Sequence, residues 1–490
     1  MFTITTQTGA PDCSGVSRRD FLQVGALGMT GLTLPGLLSV RAQAESMRAD
    51  FLRDKAVVLL YLSGGASHIE TFNPNMDAPA PHRSMNGETK TSLPGVTFGS
   101  TFPELAKRAK QLAIVRSHQH PIGGHEQAHV HVLSGGTDPK GDGKTGFSMG
   151  SLYARLRGLN HEVTGLPTYL LLTHAELDGQ YSSEVKRVVK GSWPGQLGPG
   201  LSPFRHHDSS HLPPQHQRSS IRRINNGSSS KKGSFAADMQ LAISQDQLDD
   251  RMALLTSIDR MKRQVESNQI RTTSQYQQQA FDLILGNASK VFDLTRESKR
   301  LVEKYDTSET MIGKKVFRKS NLGKQMLLAR RLVENGAGFV TVHSAGWDMH
   351  ADGNNPGMID GMNMLGRTVD KAVSAFIDDL KDRELTDKIL LVITGDFGRT
   401  PKINKNGGRD HWANLGTLAM SGGGLPMGQV IGRSDRNNAY PATDPVTPQM
   451  MMSTIMHTIF DVGKLRIARG VSRTALQAIE KHKPIKELVV

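Results

Sequence analysis

The chain has 490 residues, a formal net charge of +14 and 5% aromatic residues. Its only cysteine is Cys13, so the rest of the chain can form neither a disulfide nor a thiolate metal site. The positive charge favours anionic partners. Aromatic residues are few, however, and no basic run is interleaved with them, which argues against a nucleic-acid-binding protein.

The first 44 residues have the three parts of a secretory signal. A twin-arginine motif, S-R-R-D-F-L, begins at Ser17, an apolar glycine-containing run covers residues 24–40, and Ala42 and Ala44 form a cleavage site. The apolar run is shorter than the ~20 residues that a spanning helix needs, so we predict no stable membrane span. We expect a periplasmic or secreted protein, exported folded by the twin-arginine machinery. The anionic partners there are small-molecule or polysaccharide esters and lipid headgroups.

Predicted strands and helices alternate along the remaining chain. Apolar strands are predicted at residues 55–62, 112–115, 166–172, 339–343 and 388–394, and helices at residues 103–111, 325–334 and 357–383. This alternation predicts an α/β fold with a mostly parallel central sheet flanked by helices. In such sheets the functional residues lie in the loops that follow the carboxyl ends of the strands.

One segment divides the predicted α/β domain into two parts, residues 45–205 and 305–490. Residues 206–234 are rich in His, Ser, Asn, Gly and Lys and cannot bury enough apolar surface to order themselves, so we predict a disordered polar loop. Residues 235–304 carry apolar side chains at helical spacing, among them Leu248 and Met252. We predict that they form a helical insertion or cap.

Three glycine-bearing loops that follow predicted strands carry side chains suited to catalysis. They cover residues 63–74, 344–350 and 395–401, and a fourth group, G-R-D-H-W, follows at residues 408–412. Because the carboxyl ends of parallel strands meet at one edge of a sheet, we expect the Asp and His residues of these loops to converge. Such ligands, with water in an open position, form catalytic metal sites.

A further cluster, residues 118–131, contains five histidines. Within it, His125, Glu126 and His129 form the pattern H-E-x-x-H, which on a helix is the motif of zinc proteases. Two glycines directly precede this pattern and its flanks are less apolar than in protease helices, so a protease is the less favoured interpretation. Each histidine is as readily explained by hydrogen bonding as by metal ligation, and both interpretations remain open.

The motifs L-S-G-G-A-S-H-I-E-T-F-N-P, G-W-D-M-H and T-G-D-F-G-R-T-P-K-I-N, with G-R-D-H-W, together resemble the bacterial family called domain of unknown function 1501. Members commonly carry a twin-arginine signal. The resemblance implies a fold similar to that of the metal-dependent alkaline phosphatase and sulfatase superfamily. On this resemblance, Asp348 and His350 match a metal-binding pair and His411 matches the last ligand histidine. Asp396 matches a ligand aspartate whose following histidine is replaced by Phe397.

The chain departs from the superfamily pattern at two places. An acidic residue is expected directly after the first strand, where Ser63 and two glycines stand, and Glu70 is a displaced substitute. The expected Ser, Thr or modified Cys nucleophile upstream of Leu133 is replaced by His and Glu. The lack of cysteine after Cys13 excludes a formylglycine sulfatase built on cysteine. One metal ion with a bound water as the nucleophile is compatible with both departures.

Two hypotheses about function follow from these residues. In the first, the protein is an exported metal-dependent hydrolase of phosphate or sulfate esters, with polysaccharide as one substrate class. Arg399 binds the anion in this hypothesis, as Arg409 also could, and His125 or Glu70 acts as the base. A divalent zinc, manganese or calcium ion would be held by Asp348, His350, Asp396 and His411.

In the second hypothesis, the same scaffold is a non-catalytic binding protein whose basic surface holds an anionic glycan or a surface partner. The missing nucleophile favours this alternative, whereas the dense set of Asp and His residues favours the hydrolase. We therefore expect a hydrolase.

Overall fold

The computed structural model describes residues 50–174, 181–208 and 289–489. The predicted signal, most of the predicted polar loop and most of the predicted helical insertion lie outside the described residues. The strands are β1 (Ala56–Leu62), β2 (Glu88–Lys90), β3 (Thr97–Gly99), β4 (Ala113–Val115), β5 (Tyr169–His174), β6 (Phe204–Asp208), β7 (Met311–Ile312), β8 (Arg318–Lys319), β9 (Phe339–Ser344), β10 (Ile389–Gly395), β11 (Gly398–Arg399), β12 (His411–Trp412), β13 (Leu418–Gly422) and β14 (Gln429–Ile431).

The α-helices connect these strands and cover the sheet. They are α1 (Pro103–Lys107), α2 (His125–Leu133), α3 (Met149–Arg157), α4 (Ser182–Gly191), α5 (Ser289–Phe292), α6 (Lys299–Tyr305), α7 (Leu322–Glu334), α8 (Met358–Gly361), α9 (Arg367–Asp382), α10 (Pro448–Ile459), α11 (Val462–Ile467) and α12 (Arg473–Glu480). A π-helix, Met362–Gly366, joins α8 to α9.

An eight-stranded sheet in the order β14-β4-β13-β10-β1-β9-β5-β6 forms the centre of the fold. Neighbouring strands pair in parallel, except that β13 runs antiparallel to both β10 and β4. The central strands β1, β9 and β10 are buried at every residue, and β1 and β10 are mostly aliphatic, as is typical of parallel strands covered on both faces. The predicted α/β fold with a mostly parallel sheet is therefore confirmed.

Alternate residues of β1 pack into two hydrophobic layers on opposite faces of the sheet. Val58 and Leu60 join a layer that includes side chains of α1, α7 and α9. Val57 and Leu59 join a layer that includes side chains of α3, α10 and α12. This period of two follows from strand geometry. Helices therefore flank the sheet on both faces, and its carboxyl edge is left to loops.

The five predicted strands are all present, with bounds shifted by up to three residues, and several other predictions need correction. Residues 206–208 of the predicted polar loop belong to β6, which pairs with β5. The polar composition of these residues indicated a loop. Composition alone does not show that a neighbouring strand satisfies their backbone hydrogen bonds.

The helix predicted at 357–383 is interrupted by the π-helix. Residues 289–304, the described end of the predicted insertion, contain α5 and most of α6. Within the described ranges, no helix is both long and apolar enough to cross a membrane.

Candidate metal centre

The loops that follow β1, β9 and β10 come together because these strands are adjacent and parallel. A glycine permits their close approach. Gly64 has a φ of +104°, and a Cβ atom at this position would lie 2.5 Å from the backbone nitrogen of Asp348. The Gly64 amide donates a hydrogen bond to Asp396 Oδ1 at 3.0 Å. The first loop therefore ties together the two loops that carry the predicted aspartates.

The helix α2 begins at the same edge and carries His125 and His129 one turn apart on one face. The carboxylate of Glu126 lies on another side, where it pairs with Arg187 of α4 at 2.6 Å and is mostly exposed. In a zinc protease this glutamate would stand beside the metal as a base. The structure therefore contradicts the protease interpretation, while it places both histidines in the cluster.

Three imidazole nitrogens and one carboxylate converge at this edge of the sheet. His350 Nε2 lies 2.9 Å from His411 Nε2 and 2.9 Å from Asp348 Oδ1. His411 Nε2 is 3.3 Å from the same Asp348 oxygen, and His125 Nε2 is 3.4 Å from Asp348 Oδ2. Ligand atoms of His125, Asp348 and His411 lie within 4.8 Å of one another. A metal ion would fit among these three side chains, with His350 next to His411 and Asp348.

The other ring nitrogen of each histidine is occupied by an oxygen acceptor. Nδ1 of His125 lies 2.5 Å from Asp396 Oδ2, Nδ1 of His350 lies 3.1 Å from Asp410 Oδ1, and Nδ1 of His411 lies 3.1 Å from a backbone carbonyl, that of Gly123. An oxygen that only accepts requires a hydrogen on Nδ1. In the neutral ring the lone pair is then on Nε2, which points into the cluster.

The charges of the cluster shift its pKa values in opposite directions. Burial alone would lower the pKa of His125, but hydrogen bonds with Asp348 and Asp396 outweigh it and raise this pKa to about 9. Burial would raise the pKa of Asp348, but its hydrogen bonds with the three histidines hold it well below its usual range. Burial lowers the pKa of His411. The carboxylates of Asp348 and Asp396 therefore favour positive charge next to His125, and the Arg399 guanidinium supplies part of it at Asp348.

Asp396 lies behind His125, on the side away from His350 and His411. It is fully buried, and His125 Nδ1 and the Gly64 amide donate to its two oxygens. His129 is also fully buried: its Nδ1 lies 2.8 Å from the His125 carbonyl oxygen and 3.4 Å from Asp396 Oδ2, and its Nε2 lies 2.9 Å from Ser63 Oγ. These three side chains form a second group of potential ligands, which shares His125 with the first.

The structure places Arg399 and Glu70 in fully buried positions that sequence patterns did not indicate. The guanidinium of Arg399 donates to the carbonyl oxygens of Gly64 and Gly65 and to Asp348 Oδ1. Glu70 is outside the cluster and pairs with Arg409 at 3.0 Å. Glu70 therefore lies away from the cluster, whereas Arg399 contacts it: besides Asp348, its Nη1 lies 3.3 Å from His350 Nε2.

Glu184, in the first turn of α4, was missed by sequence analysis, and no motif surrounds it. Its carboxyl group is almost fully buried and accepts a hydrogen bond from the Gly346 amide at 2.9 Å. Burial, together with the charges of Asp348 and Asp396, raises its pKa to about 8. Buried carboxyl groups with raised pKa values are common at functional sites, and only the fold brings this one to the cluster.

Matches to known proteins are of two kinds, distant solved structures and a family model. A search of curated proteins gives no match. Among solved structures, the PsFucS1 sulfatase from Pseudoalteromonas sp. is 11% identical, with 91% of this chain and 76% of that chain covered and a TM-score of 0.36. The alkaline phosphatase from the Antarctic bacterium TAB5 is 10% identical, with 86% and 100% covered and a TM-score of 0.34. The lipoteichoic acid synthase LtaP from Listeria monocytogenes is 10% identical, with 85% and 77% covered and a TM-score of 0.36.

TM-scores this low carry no argument about this chain. The family model is more informative. The model described as "Protein of unknown function (DUF1501)" matches residues 54–468, which include every residue of the cluster. The chain belongs to the DUF1501 family.

Proposed function

We propose that this protein is an exported, metal-dependent hydrolase of phosphate or sulfate esters, with one divalent ion bound by His125, Asp348, His350 and His411. The observation that carries the proposal is the convergence of three Nε2 atoms and one carboxylate. Ligand atoms of a tetrahedral zinc site are about 3.3 Å apart, as follows from metal–ligand distances of about 2.0 Å. Four of the six separations between ligand atoms, from 2.9 to 3.4 Å, lie around this value.

The electrostatics of the cluster support a bound cation. Two Nε2 lone pairs 2.9 Å apart, beside an ionised carboxylate, repel each other unless a donor or a cation lies close to them. Arg399 Nη1 lies 3.3 Å from His350 Nε2, and a metal ion would serve both nitrogens. The oxygen acceptors on all three Nδ1 atoms match the arrangement by which proteins orient metal-bound histidines. Three imidazoles and one carboxylate suit zinc or manganese better than calcium, which takes six to eight oxygens. We therefore narrow the expected metals to zinc and manganese.

A bound ion of this kind lowers the pKa of a coordinated water and polarises an ester oxygen. The residues of the chain would hold the geometry. Asp396 orients the ring of His125, Asp410 orients that of His350, and Arg399 fixes Asp348. In this proposal Asp396 is a positioning residue, and neither Arg399 nor Glu70 contacts the substrate.

The amino terminus of α2 supports an anionic substrate. Among the described residues, no side chain caps this nine-residue helix, which begins at His125 after Gly124. The first amide groups of an uncapped helix attract phosphate and sulfate groups. An ester anion that approached the cluster would therefore meet both the metal and the positive end of the helix.

The proposal is tested with 4-nitrophenyl phosphate and 4-nitrophenyl sulfate as substrates for the purified protein. We expect hydrolysis of at least one of them, loss of activity after treatment with a chelator, and recovery with zinc or manganese. The double variant His350→Ala/His411→Ala should be inactive, whereas His482→Ala, a histidine outside the cluster, should retain activity. A metal-loaded, folded protein that hydrolyses neither these nor a panel of polysaccharide esters would favour the non-catalytic binding protein.

A further inference from the structure

The hairpin formed by β7, β8 and the turn between them presents neighbouring apolar side chains to solvent. Met311 is 43% exposed, Val316 40% and Phe317 48%. β7 contacts the π-helix that follows α8, and Ile359 of α8 is also exposed, at 47%. Single exposed apolar residues are ordinary on protein surfaces, but a group of them marks an interaction site.

The same hairpin is strongly basic. Residues 311–319 read M-I-G-K-K-V-F-R-K, with four cationic residues and no acidic one. Lys314 and Lys319 are exposed, and neither they nor Arg318 form an ion pair with any residue in the described parts of the chain. The apolar pair Val316 and Phe317 therefore lies between two pairs of cations.

We propose that this hairpin binds the surface of an anionic lipid bilayer. Apolar side chains flanked by lysine and arginine are the features of peripheral membrane-binding segments: the apolar groups enter the headgroup region and the cations contact acidic headgroups. An acidic polysaccharide would satisfy the cations, but it offers no apolar phase for Met311 and Val316. The charge pattern and the exposed aliphatic groups together favour a bilayer.

The position of the hairpin links this surface to the candidate metal centre. Lys315 Nζ donates a hydrogen bond to Asn354 Oδ1 at 2.7 Å, in the loop that follows His350. Binding through the hairpin would bring this loop close to the lipid headgroups. The membrane proposal does not depend on hydrolase activity, and it stands if the protein proves to be a binding protein.

The test uses a fluorescent label at the hairpin in the otherwise complete protein. Cys13→Ser removes the only native cysteine, and Phe317→Cys is then labelled with an environment-sensitive nitrobenzoxadiazole dye. The matched control is Val163→Cys, which is 84% exposed in the turn between α3 and β5. The labelled proteins are titrated with vesicles of phosphatidylglycerol and phosphatidylcholine, and with vesicles of phosphatidylcholine alone.

We expect the emission of the label at 317 to shift to the blue with the phosphatidylglycerol vesicles only, and the label at 163 to stay unchanged. The substitutions Lys314→Gln and Lys319→Gln together should weaken binding about thirtyfold, or roughly fivefold for each charge. Residues 1–49 are identical in the two labelled proteins, and each label reports only its own surroundings. Membrane binding by residues 1–49 would therefore not produce a shift at position 317 alone. An unchanged emission at 317, equal shifts at both positions, or an undiminished affinity of the double variant would overturn the proposal. A shift at 317 produced equally by a soluble acidic polysaccharide would overturn it in favour of a glycan.

Discussion

The pKa of Glu184 gives a prediction about stability that can be worked out from the structure. The carboxyl group is buried beside the charges of Asp348 and Asp396, and its only charge-stabilising hydrogen bond among the described residues comes from the Gly346 amide. The substitution Glu184→Gln keeps an oxygen that can accept this bond and removes the ionisable group. It therefore isolates the cost of burying a negative charge at this place.

The sign follows from the direction of the shift. The pKa of Glu184 rises from 4.5 in the unfolded chain to about 8 in the folded protein. Between these values the folded state keeps a proton that the unfolded state releases, so the free energy of unfolding falls as the pH rises. Each pKa unit corresponds to about 1.4 kcal/mol of unfolding free energy. The loss of stability reaches its full value, about 5 kcal/mol at most, above pH 8.

The assay is urea denaturation of the chelator-treated protein at pH 5, 7 and 9, for the wild type and for Glu184→Gln. We expect similar stability at pH 5 and a variant that is more stable by several kcal/mol at pH 9. Glu303→Gln, at an exposed position on α6, controls for the loss of one negative charge. Parallel pH profiles for the wild type and Glu184→Gln would show that the buried carboxyl group ionises freely, contrary to this prediction.

Two further substitutions test the roles of two buried carboxylates, Asp396 and Glu70. Asp396→Asn should weaken metal affinity about 10- to 100-fold while leaving the stoichiometry intact at saturation, as competition with a chromophoric chelator can measure. An unchanged metal affinity would show that Asp396 does not support metal binding. Glu70→Gln leaves Arg409 buried without its charged partner and should cost about 3 to 5 kcal/mol of unfolding free energy. A catalytic base at Glu70 would instead show lost turnover with unchanged stability.

The central strands could be predicted from sequence because each is a short, mostly apolar run that is followed by a glycine-bearing loop. The runs at β1, β9 and β10 stand out for this reason. The edge strand β6 could not be predicted, since its residues, F-R-H-H-D, are mostly polar and are held in the sheet by pairing with β5. Local composition describes what a segment can bury by itself, and a neighbouring strand changes that.

The residues of the centre were predicted in part for a similar reason. The rule that loops meet at the carboxyl ends of parallel strands brought Asp348, His350 and His411 into one hypothesis, and the structure places them together. The sequence could not show that Arg399 and Glu70 turn inward to protein acceptors, because the direction of a loop side chain depends on its packing. Nor could it find Glu184, whose proximity depends on how α4 lies against the sheet.

The most direct test of the metal centre is elemental analysis of the purified protein by mass spectrometry, without chelator during purification. We expect about one equivalent of zinc or manganese, or uptake of one equivalent when the ion is added. The double variant His350→Ala/His411→Ala should then bind none while its circular dichroism stays that of the wild type. The proposed metal centre would be contradicted by a folded wild-type protein that contains no metal and takes up none. It would equally be contradicted by a double variant that binds as much metal as the wild type.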